Sequence, residues 1–174
     1  MIVPDDFIAE LNLGDRIRVV PFHYGHIHMM QLSDLDRRAA NALPDFNERI
    51  QSYADAYPSM TVMIDNKIIL SSGLFQLWPS TYELWMFKSD DLAKQNALDL
   101  TRKAKMFVSY TTQLSYLRRL QIVVRNDNSP AMRWAELIGF NYEATLTAYT
   151  PDGVDCHVYT RFNHGFSSTK STEN

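Results

Sequence analysis

Apolar residues in the first third of the chain recur first with the period of a strand and then with the period of helices. Residues 16–20 (RIRVV) are a short β-branched run that ends before a proline, which predicts a first strand. Ser33 stands three residues before Asp36, a spacing typical of a helix N-terminus, and Pro44 ends the helix that it predicts. A second helix is predicted over residues 46–57, where apolar side chains recur every three or four positions.

The middle of the chain consists of β-rich runs. Residues 60–64 and 67–75 are separated by the Asp-Asn pair at 65–66, which tolerates positive φ and predicts a two-residue hairpin turn. Residues 81–87 (TYELWMF) are apolar on both faces except for Glu83, as in a central strand. Three antiparallel strands are therefore expected after the helices.

The longest helix is predicted after these strands. Ser89, Asp90 and Asp91 offer N-cap chemistry at its start, and its pattern continues to about Leu117. One face of this helix carries a mostly apolar stripe at intervals of four and three residues: Leu100, Ala104, Phe107, Thr111 and Leu114. The stripe must pack against a sheet or another helix.

The remaining pattern predicts a strand, a helix and a hairpin. Residues 119–125 (RLQIVVR) return to a β pattern, and Ser129 caps a helix that ends at Gly139. Residues 141–150 and 154–162 then form the last hairpin. This order of elements is typical of an α+β or mixed α/β fold built around one sheet.

Composition indicates a single domain. The chain has 174 residues, of which 45% are hydrophobic and 21% charged, so residues 1–162 are assigned to one domain and residues 163–174 to a mobile polar tail. A lone cysteine, Cys156, excludes a disulfide-stapled scaffold. No apolar run is long enough to span a bilayer, and the acidic residues 1–10 do not resemble a signal peptide. We therefore expect no membrane partner.

The formal net charge of -3 is unevenly distributed along the chain. Residues 1–65 hold five basic and ten acidic side chains, whereas residues 88–133 hold nine basic and four acidic ones. A basic middle suits a phosphate-bearing ligand, although it also has the simpler explanation of a solvated face on the long helix. Because the whole chain is negative, no nucleic-acid partner is expected.

The motifs of several enzyme classes are missing from the sequence. It contains no nucleophile elbow, Walker loop, Cys-x-x-Cys pair or dinucleotide fingerprint, so hydrolase, nucleotidase and dehydrogenase functions lack the residues that they need. His23, His26 and His28 lie close together, but only the first interval suits a pair of helical metal ligands. We therefore expect no metal site.

Residues 119–140 (RLQIVVRNDNSPAMRWAELIGF) carry the most specific pattern in the chain. A strand leads to Asn128, Ala131 follows three residues later, and the next helix closes on Gly139-Phe140. This segment resembles the strand, turn and helix of the GNAT superfamily of N-acetyltransferases, and the order of elements over residues 15–162 matches that fold. The resemblance implies a central, mostly antiparallel sheet of about six to seven strands flanked by about four helices.

A narrower likeness is to the small acetyltransferase-like proteins of tailed bacteriophages, which include both acetyltransferases and internal head or virion proteins. It is carried by the stretch from His26 to Asp36, the strand TYELWMFKSDD, the long helix with its lysines and arginines, and the 119–140 segment. Two functions stay open. One is acetyl-CoA-dependent acyl transfer to a small-molecule or protein amine in a cytoplasm, and the other is a non-catalytic virion or assembly protein with phage structural partners. A homo-oligomer is compatible with either.

The resemblance also implies where acetyl-CoA would bind as acyl donor. The cleft is expected where the strand ending at Phe87 separates from the strand ending at Arg125, with backbone groups of the first strand pairing with the pantetheine. The implied cofactor-binding residues are Met86, Phe87, Lys88, Lys94 and Asn128. Asn128 has an alternative local role as a turn and helix-entry residue.

Glu83 is the candidate catalytic residue. A carboxylate inside an apolar strand has a pKa raised by desolvation, and it could accept a proton from an attacking amine. The resemblance supports this role, because enzymes of that superfamily often place a glutamate base on the same strand. The alternative is that this face of the strand is simply wet.

Two departures from the superfamily pattern weaken the enzyme interpretation. Its members carry a glycine-rich loop that holds the pyrophosphate, whereas residues 87–94 here (FKSDDLAK) contain no glycine and include Asp90 and Asp91. Many members also have, where this chain has Ala135, a tyrosine that can protonate the departing thiolate as a general acid. Tyr149 and Tyr159 could supply a hydroxyl instead, although packing is the simpler role for both.

Overall fold

A computed structural model describes residues 16–42, 44–90, 97–163 and 165. Within these residues it has seven strands and five helices. The strands are β1 (Ile17–Val20), β2 (Ser59–Ile64), β3 (Lys67–Trp78), β4 (Thr81–Lys88), β5 (Arg119–Arg125), β6 (Asn141–Leu146) and β7 (Cys156–Phe162). The helices are α1 (Gly25–His28), α2 (Asp34–Asn41), α3 (Phe46–Ala56), α4 (Ala97–Gln113) and α5 (Ser129–Leu137).

The strands form one sheet in the order β1-β2-β3-β4-β5-β7-β6. All neighbours are antiparallel except β4 and β5, which run parallel because the chain crosses over between them through α4. The expected α+β fold with a mostly antiparallel central sheet is therefore confirmed. The parallel pair lies in the middle of the sheet, with hairpin-linked strands on both sides.

Helices cover both faces of the sheet. On one face, α4 and α5 contribute Val108 and Ala135 to a buried cluster with Leu84 and Leu120 of the two central strands. On the other face, α1, α2 and α3 pack over a second buried cluster that includes Phe87 of β4. Because side chains alternate along a strand, β4 contributes to both clusters and Glu83 faces the α1–α3 side. This explains why its sequence is apolar on both faces.

The local signals in the first half of the chain give the expected structure. The Ser33 hydroxyl accepts a hydrogen bond from the Asp36 backbone N–H and caps α2. Asp65 and Asn66 have φ values of 48° and 64°, so the hairpin between β2 and β3 has the positive-φ turn that the pair predicts.

Several predicted boundaries differ from the structure. Strand β3 runs on to Trp78 instead of ending at residue 75. The last hairpin has shorter strands than expected, because residues 147–155 form a loop in which Asp155 and Thr150 bond to backbone groups of the loop itself. The residue that caps α5 is Asn128 rather than Ser129. Helix α4 ends at Gln113, four residues before Leu117, which is fully buried beyond the helix.

The predicted N-cap of the long helix is only partly described. Ser89 lies in an isolated β-bridge with Leu32 directly after β4. Asp91 and Lys94 lie outside the described residues, as do most of the residues assigned to the tail. The division into a domain and a tail therefore stays a prediction. No helix among the described residues is long and apolar enough to cross a membrane.

A chain of polar contacts links α1 to the sheet. His26 Nδ1 lies 2.9 Å from the Thr61 hydroxyl and accepts a bond from the His23 backbone N–H. The Thr61 hydroxyl in turn lies 2.9 Å from that of Ser71, and both of these side chains are fully buried. Burial, and secondarily the nearby His23, lower the pKa of His26.

We expect the lowered pKa of His26 to make the protein less stable in mild acid. Between this lowered pKa and the ordinary value of 6.5, the unfolded chain binds a proton that the folded chain does not, so the free energy of unfolding falls as pH falls through this window. Urea unfolding at several pH values, for wild type and His26→Gln, measures the effect. A matched His28→Gln variant controls for the loss of an imidazole, since His28 contacts Asn47 instead. If the free energy of unfolding of His26→Gln depends on pH as steeply as that of the wild type, the prediction is wrong.

Candidate functional site

The two parallel strands separate part-way along their length. Their pairing covers only Thr81 to Glu83 on β4 and Arg119 to Gln121 on β5. Both strands continue well beyond this point, so the sheet opens between them. The opening is a cleft of about 260 Å3 lined by residues 83–88 of β4 and 122–125 of β5.

The cleft opens toward both faces of the sheet. On one side it is lined by Ala131 and Trp134 of α5 and by its capping residue Asn128, together with alternate residues of β4. On the opposite side it is lined by Leu35 and Asp36 of α2. Two ligands could therefore approach each other from opposite faces and meet between the strands.

Glu83 lies at the closed end of the cleft, at the last position of β4 that pairs with β5. Burial raises the pKa of its carboxyl group, and a hydrogen bond from the Gln121 side chain opposes this shift. The Gln121 amide nitrogen donates to Glu83 Oε2 at 2.9 Å. The half-buried carboxylate is thus held in place and is more basic than an exposed glutamate, as the sequence predicts.

The remaining described candidates also line the cleft. Met86, Phe87 and Lys88 continue β4 past Glu83 and pair only with β3, so the other edge of this segment faces the cleft. Asn128 lines the cleft from the α5 side. The structure therefore brings together five of the six residues implied by the resemblance, and the sixth, Lys94, lies outside the described residues.

Asn128 has the local role that its residue type predicts. Its side-chain oxygen accepts a hydrogen bond from the Ala131 backbone N–H at 3.2 Å and caps α5. This bond fixes the side chain at the wall of the cleft. The Asn-x-x-Ala spacing thus has a structural cause, and any contact to a ligand would be additional to it.

Sequence reasoning missed two residues that line the cleft, Asp36 and Trp85, and one that contacts its lining, Gln121. Gln121 contacts Glu83 directly, and its signal is that of a polar residue in an otherwise apolar part of a central strand. Asp36 was noticed only as a capping residue; its pKa is raised, chiefly by burial. Trp85 lines the same wall, and its indole N–H is buried without a hydrogen-bond partner among the described residues.

Comparison with known proteins rests on structure. No protein-family model matches the sequence, and no curated protein matches it. The structure is similar to a GNAT-family acetyltransferase from Bacillus anthracis, with a TM-score of 0.64 and 17% identity over 86% of this chain and 96% of that one. The chain has the fold of the GNAT acetyltransferases.

Two further solved structures with the GNAT fold contain ligands. The microcin C7 self-immunity acetyltransferase MccE, in complex with acetyl-CoA and AMP, has a TM-score of 0.62 and 14% identity over 86% of this chain and 93% of that one. The ribosomal-protein α-N-acetyltransferase RimL, in complex with coenzyme A, has a TM-score of 0.60 and 13% identity over 86% of this chain and 96% of that one.

The tyrosines fall at different places in this GNAT fold. Ala135 of α5 stands where the superfamily often has a tyrosine that acts as general acid. Its side chain is 1% exposed and belongs to the buried core. Tyr159 is buried in the same core. Tyr149 lies in the loop between β6 and β7, and its pKa is raised by burial and further by the charge of Glu83. Of the two hydroxyls proposed as substitutes, only that of Tyr149 is electrostatically coupled to the candidate base.

His26 and His28 do not converge on a common point. His26 contacts Thr61 whereas His28 contacts Asn47. Among the described residues there is no group of three or more histidine, cysteine or acidic side chains that could hold a metal ion. Cys156 is buried, and burial is the main cause of its raised pKa.

Proposed function

We propose that this protein transfers an acyl group from acetyl-CoA to an amine. The observation that carries the proposal is the cleft between β4 and β5, closed at one end by the half-buried carboxylate of Glu83. Support comes from the solved GNAT folds of MccE and RimL, which contain acetyl-CoA and coenzyme A.

The described cleft has the groups that such a donor needs. The edge of β4 from Met86 to Lys88 turns toward the cleft and offers backbone donors and acceptors to the amide groups of a pantetheine. Lys88 offers a positive charge to a phosphate, and Lys94 is proposed as a second one. Acetyl-CoA supplies an acyl carbon activated as a thioester, at which an amine can displace the thiol.

Glu83 is proposed as the general base. A protonated amine is not nucleophilic, so a proton must leave the nitrogen before or while its bond to the acyl carbon forms. Burial makes the Glu83 carboxylate a better proton acceptor than an exposed glutamate, and Oε2 is already held by Gln121. The proton is therefore expected to pass to Oε1, directly or through one water.

The acceptor is proposed to enter from the α2 side of the cleft. On that side the lining includes the carboxylates of Asp36 and Glu83, and negative charges attract a cationic amine. The cofactor would take the α5 side, where the lining is mostly apolar. A small-molecule amine and a protein amine both fit this chemistry.

Calorimetric titration with acetyl-CoA tests the proposal. We expect binding on the order of micromolar dissociation constants, with weaker binding by Lys88→Gln because that variant removes a charge from the cleft. Lys67→Gln, at an exposed position at the start of β3, is the matched control and should bind as wild type. Absence of heat and of a thermal shift at millimolar acetyl-CoA would refute the proposal.

A second candidate is a non-catalytic virion or assembly protein that uses the fold as an interaction module. It is favoured by the absence of glycine between Gly73 and Gly139, which includes the stretch where the superfamily has its pyrophosphate loop. The exposed carboxylate of Asp90, two residues after the end of β4, also favours this candidate, since it repels a diphosphate. Failure of acetyl-CoA to bind in the titration would favour this candidate.

A further inference from the structure

A row of hydrogen bonds connects Glu83 on β4, through Gln121 and Arg119 on β5, to Glu143 on the edge strand β6. Arg119 donates through Nε and one terminal nitrogen to the Gln121 side-chain oxygen, at 3.1 and 3.0 Å. Gln121 then donates to Glu83 at 2.9 Å. At the other end, the Arg119 guanidinium forms an ion pair with Glu143 at 2.7 Å.

The double contact from Arg119 fixes the orientation of the Gln121 side-chain amide, that is, which side carries the oxygen and which the nitrogen. An arginine has donors but no acceptor, so it must face the amide oxygen. The amide nitrogen is thereby directed to Glu83, where it can only donate. A glutamine without this neighbour could rotate by half a turn and present its oxygen to the carboxylate, which would repel it.

Arg119 is itself held in place. Besides its ion pair with Glu143, it lies 5.6 Å from the centre of the Phe162 ring. Its backbone N–H donates to the Ser80 carbonyl at the β3–β4 turn. Glu143 sits at a β-bulge between the paired residues Tyr142 and Ala144, which places an extra residue in β6 at this point.

We propose that Gln121 and Arg119 are positioning residues, which hold the Glu83 carboxylate so that Oε2 is engaged and Oε1 is presented to the amine. The proposal rests on the proposed function of Glu83 as the base. It adds two residues, Gln121 and Arg119, that were not among the site residues suggested by the sequence. Their action is through Glu83, and neither is required to touch a substrate.

The hydrogen bonds from Arg119 to Gln121 and from Gln121 to Glu83 should also set the pH at which Glu83 loses its proton. Other ionisable groups lie around the same cleft: Asp36 on α2, Lys88 on β4, Arg125 on β5 and Tyr149 in the β6–β7 loop. Burial raises the pKa of Glu83 and the Gln121 bond is the contact that lowers it. Removing that bond therefore moves the pKa upward, and the fraction of active carboxylate at low pH falls.

The test compares Gln121→Leu with wild type by two readouts. The first is the pKa of the Glu83 carboxyl group from carbon NMR titration of the labelled protein, which needs no turnover, with Glu83→Gln identifying the resonance. The second is the pH profile of kcat/KM. We expect the pKa to rise, and kcat/KM to fall about tenfold at acid pH and to recover partly at alkaline pH.

Matched variants separate positioning from general damage. Gln76→Leu changes an exposed glutamine on β3 and should leave both readouts unchanged. Arg119→Leu should shift the profile in the same direction as Gln121→Leu, and Arg119→Lys, which keeps a cationic donor but not the planar double contact, should restore part of the loss. Circular dichroism and urea unfolding establish that each variant is folded.

The outcomes distinguish failure of this inference from failure of the proposed function. If Glu83→Gln removes activity but Gln121→Leu leaves the pKa of Glu83 and the pH profile unchanged, the positioning role is wrong and the base stands. If Glu83→Gln retains full activity, the base assignment is wrong. In that case the NMR titration still decides whether Gln121 controls the carboxyl group.

Discussion

Glu83→Gln is expected to lower kcat/KM for acyl transfer by about a hundred- to ten-thousand-fold, because glutamine cannot accept a proton. The protein should stay folded, because glutamine keeps the shape of the side chain. The neutral amide also avoids burying a charge, so stability should not fall. A steady-state assay that follows release of the coenzyme A thiol measures the rate. Acetyl-CoA binding by calorimetry should stay close to wild type, which separates loss of chemistry from loss of the donor site.

Glu48→Gln is the matched control for this variant. Glu48 is an exposed glutamate in α3, remote in sequence from both strands of the cleft, and its replacement should leave kcat/KM unchanged. A second check is the pH profile: wild-type activity should fall as pH decreases through the raised pKa of Glu83, and the residual activity of the variant should lack this limb. An unaltered rate in Glu83→Gln would sink the assignment of Glu83 as base.

Gly73→Ala is expected to destabilise the fold and to disturb the cleft at the same time. Gly73 on β3 is paired with Trp85 on β4. A Cβ at this position would lie 2.5 and 2.7 Å from two indole carbons of Trp85 and 2.9 Å from Ser59 Cβ, closer than side-chain atoms pack. Overpacking of this kind costs about 1–3 kcal/mol, which urea unfolding would measure.

The physical reason is that the indole of Trp85 fills the space above Gly73. The ring also packs edge-on against Phe22, with centroids 5.0 Å apart, so it has little room to move away. Because Trp85 lines the cleft two residues after Glu83 and on the same face of the sheet, its displacement should weaken binding of the amine acceptor as well. Stability and binding should therefore fall together.

A second substitution tests this cause. Trp85→Phe removes the two indole carbons nearest to Gly73, so Gly73→Ala should cost less in the Trp85→Phe background than in wild type. Equal costs in the two backgrounds would show that the clash with Trp85 is not the source of the instability. The remaining contact with Ser59 explains any part of the cost that persists.

Local signals were sufficient for most of the element order. The Asp-Asn turn, the Ser33 cap and the β pattern of residues 119–125 each act within a few neighbouring residues, and the structure has all three as expected. The cap of α5 was placed one residue late, at Ser129 instead of Asn128. Both residue types are good caps, and the one that is used depends on where β5 ends.

The site was harder to predict from the sequence than the fold was. Glu83 stood out because a carboxylate in an apolar strand is costly, and burial does raise its pKa. Gln121 lies 38 residues further along the chain, and its contact with Glu83 exists only because β4 and β5 are neighbours. Pairing between distant strands is decided by packing of the whole sheet, which no local pattern encodes.

The sequence by itself determined the order of the elements, the apolar faces that they bury and the position of an unusual carboxylate in a central strand. Only the tertiary structure decided that β4 and β5 separate just beyond Glu83, and that Arg119 and Gln121 reach its carboxyl group. The reason is physical: turns, caps and periodicity depend on neighbouring residues, whereas a cleft and a hydrogen-bonded chain depend on how distant segments pack around one core.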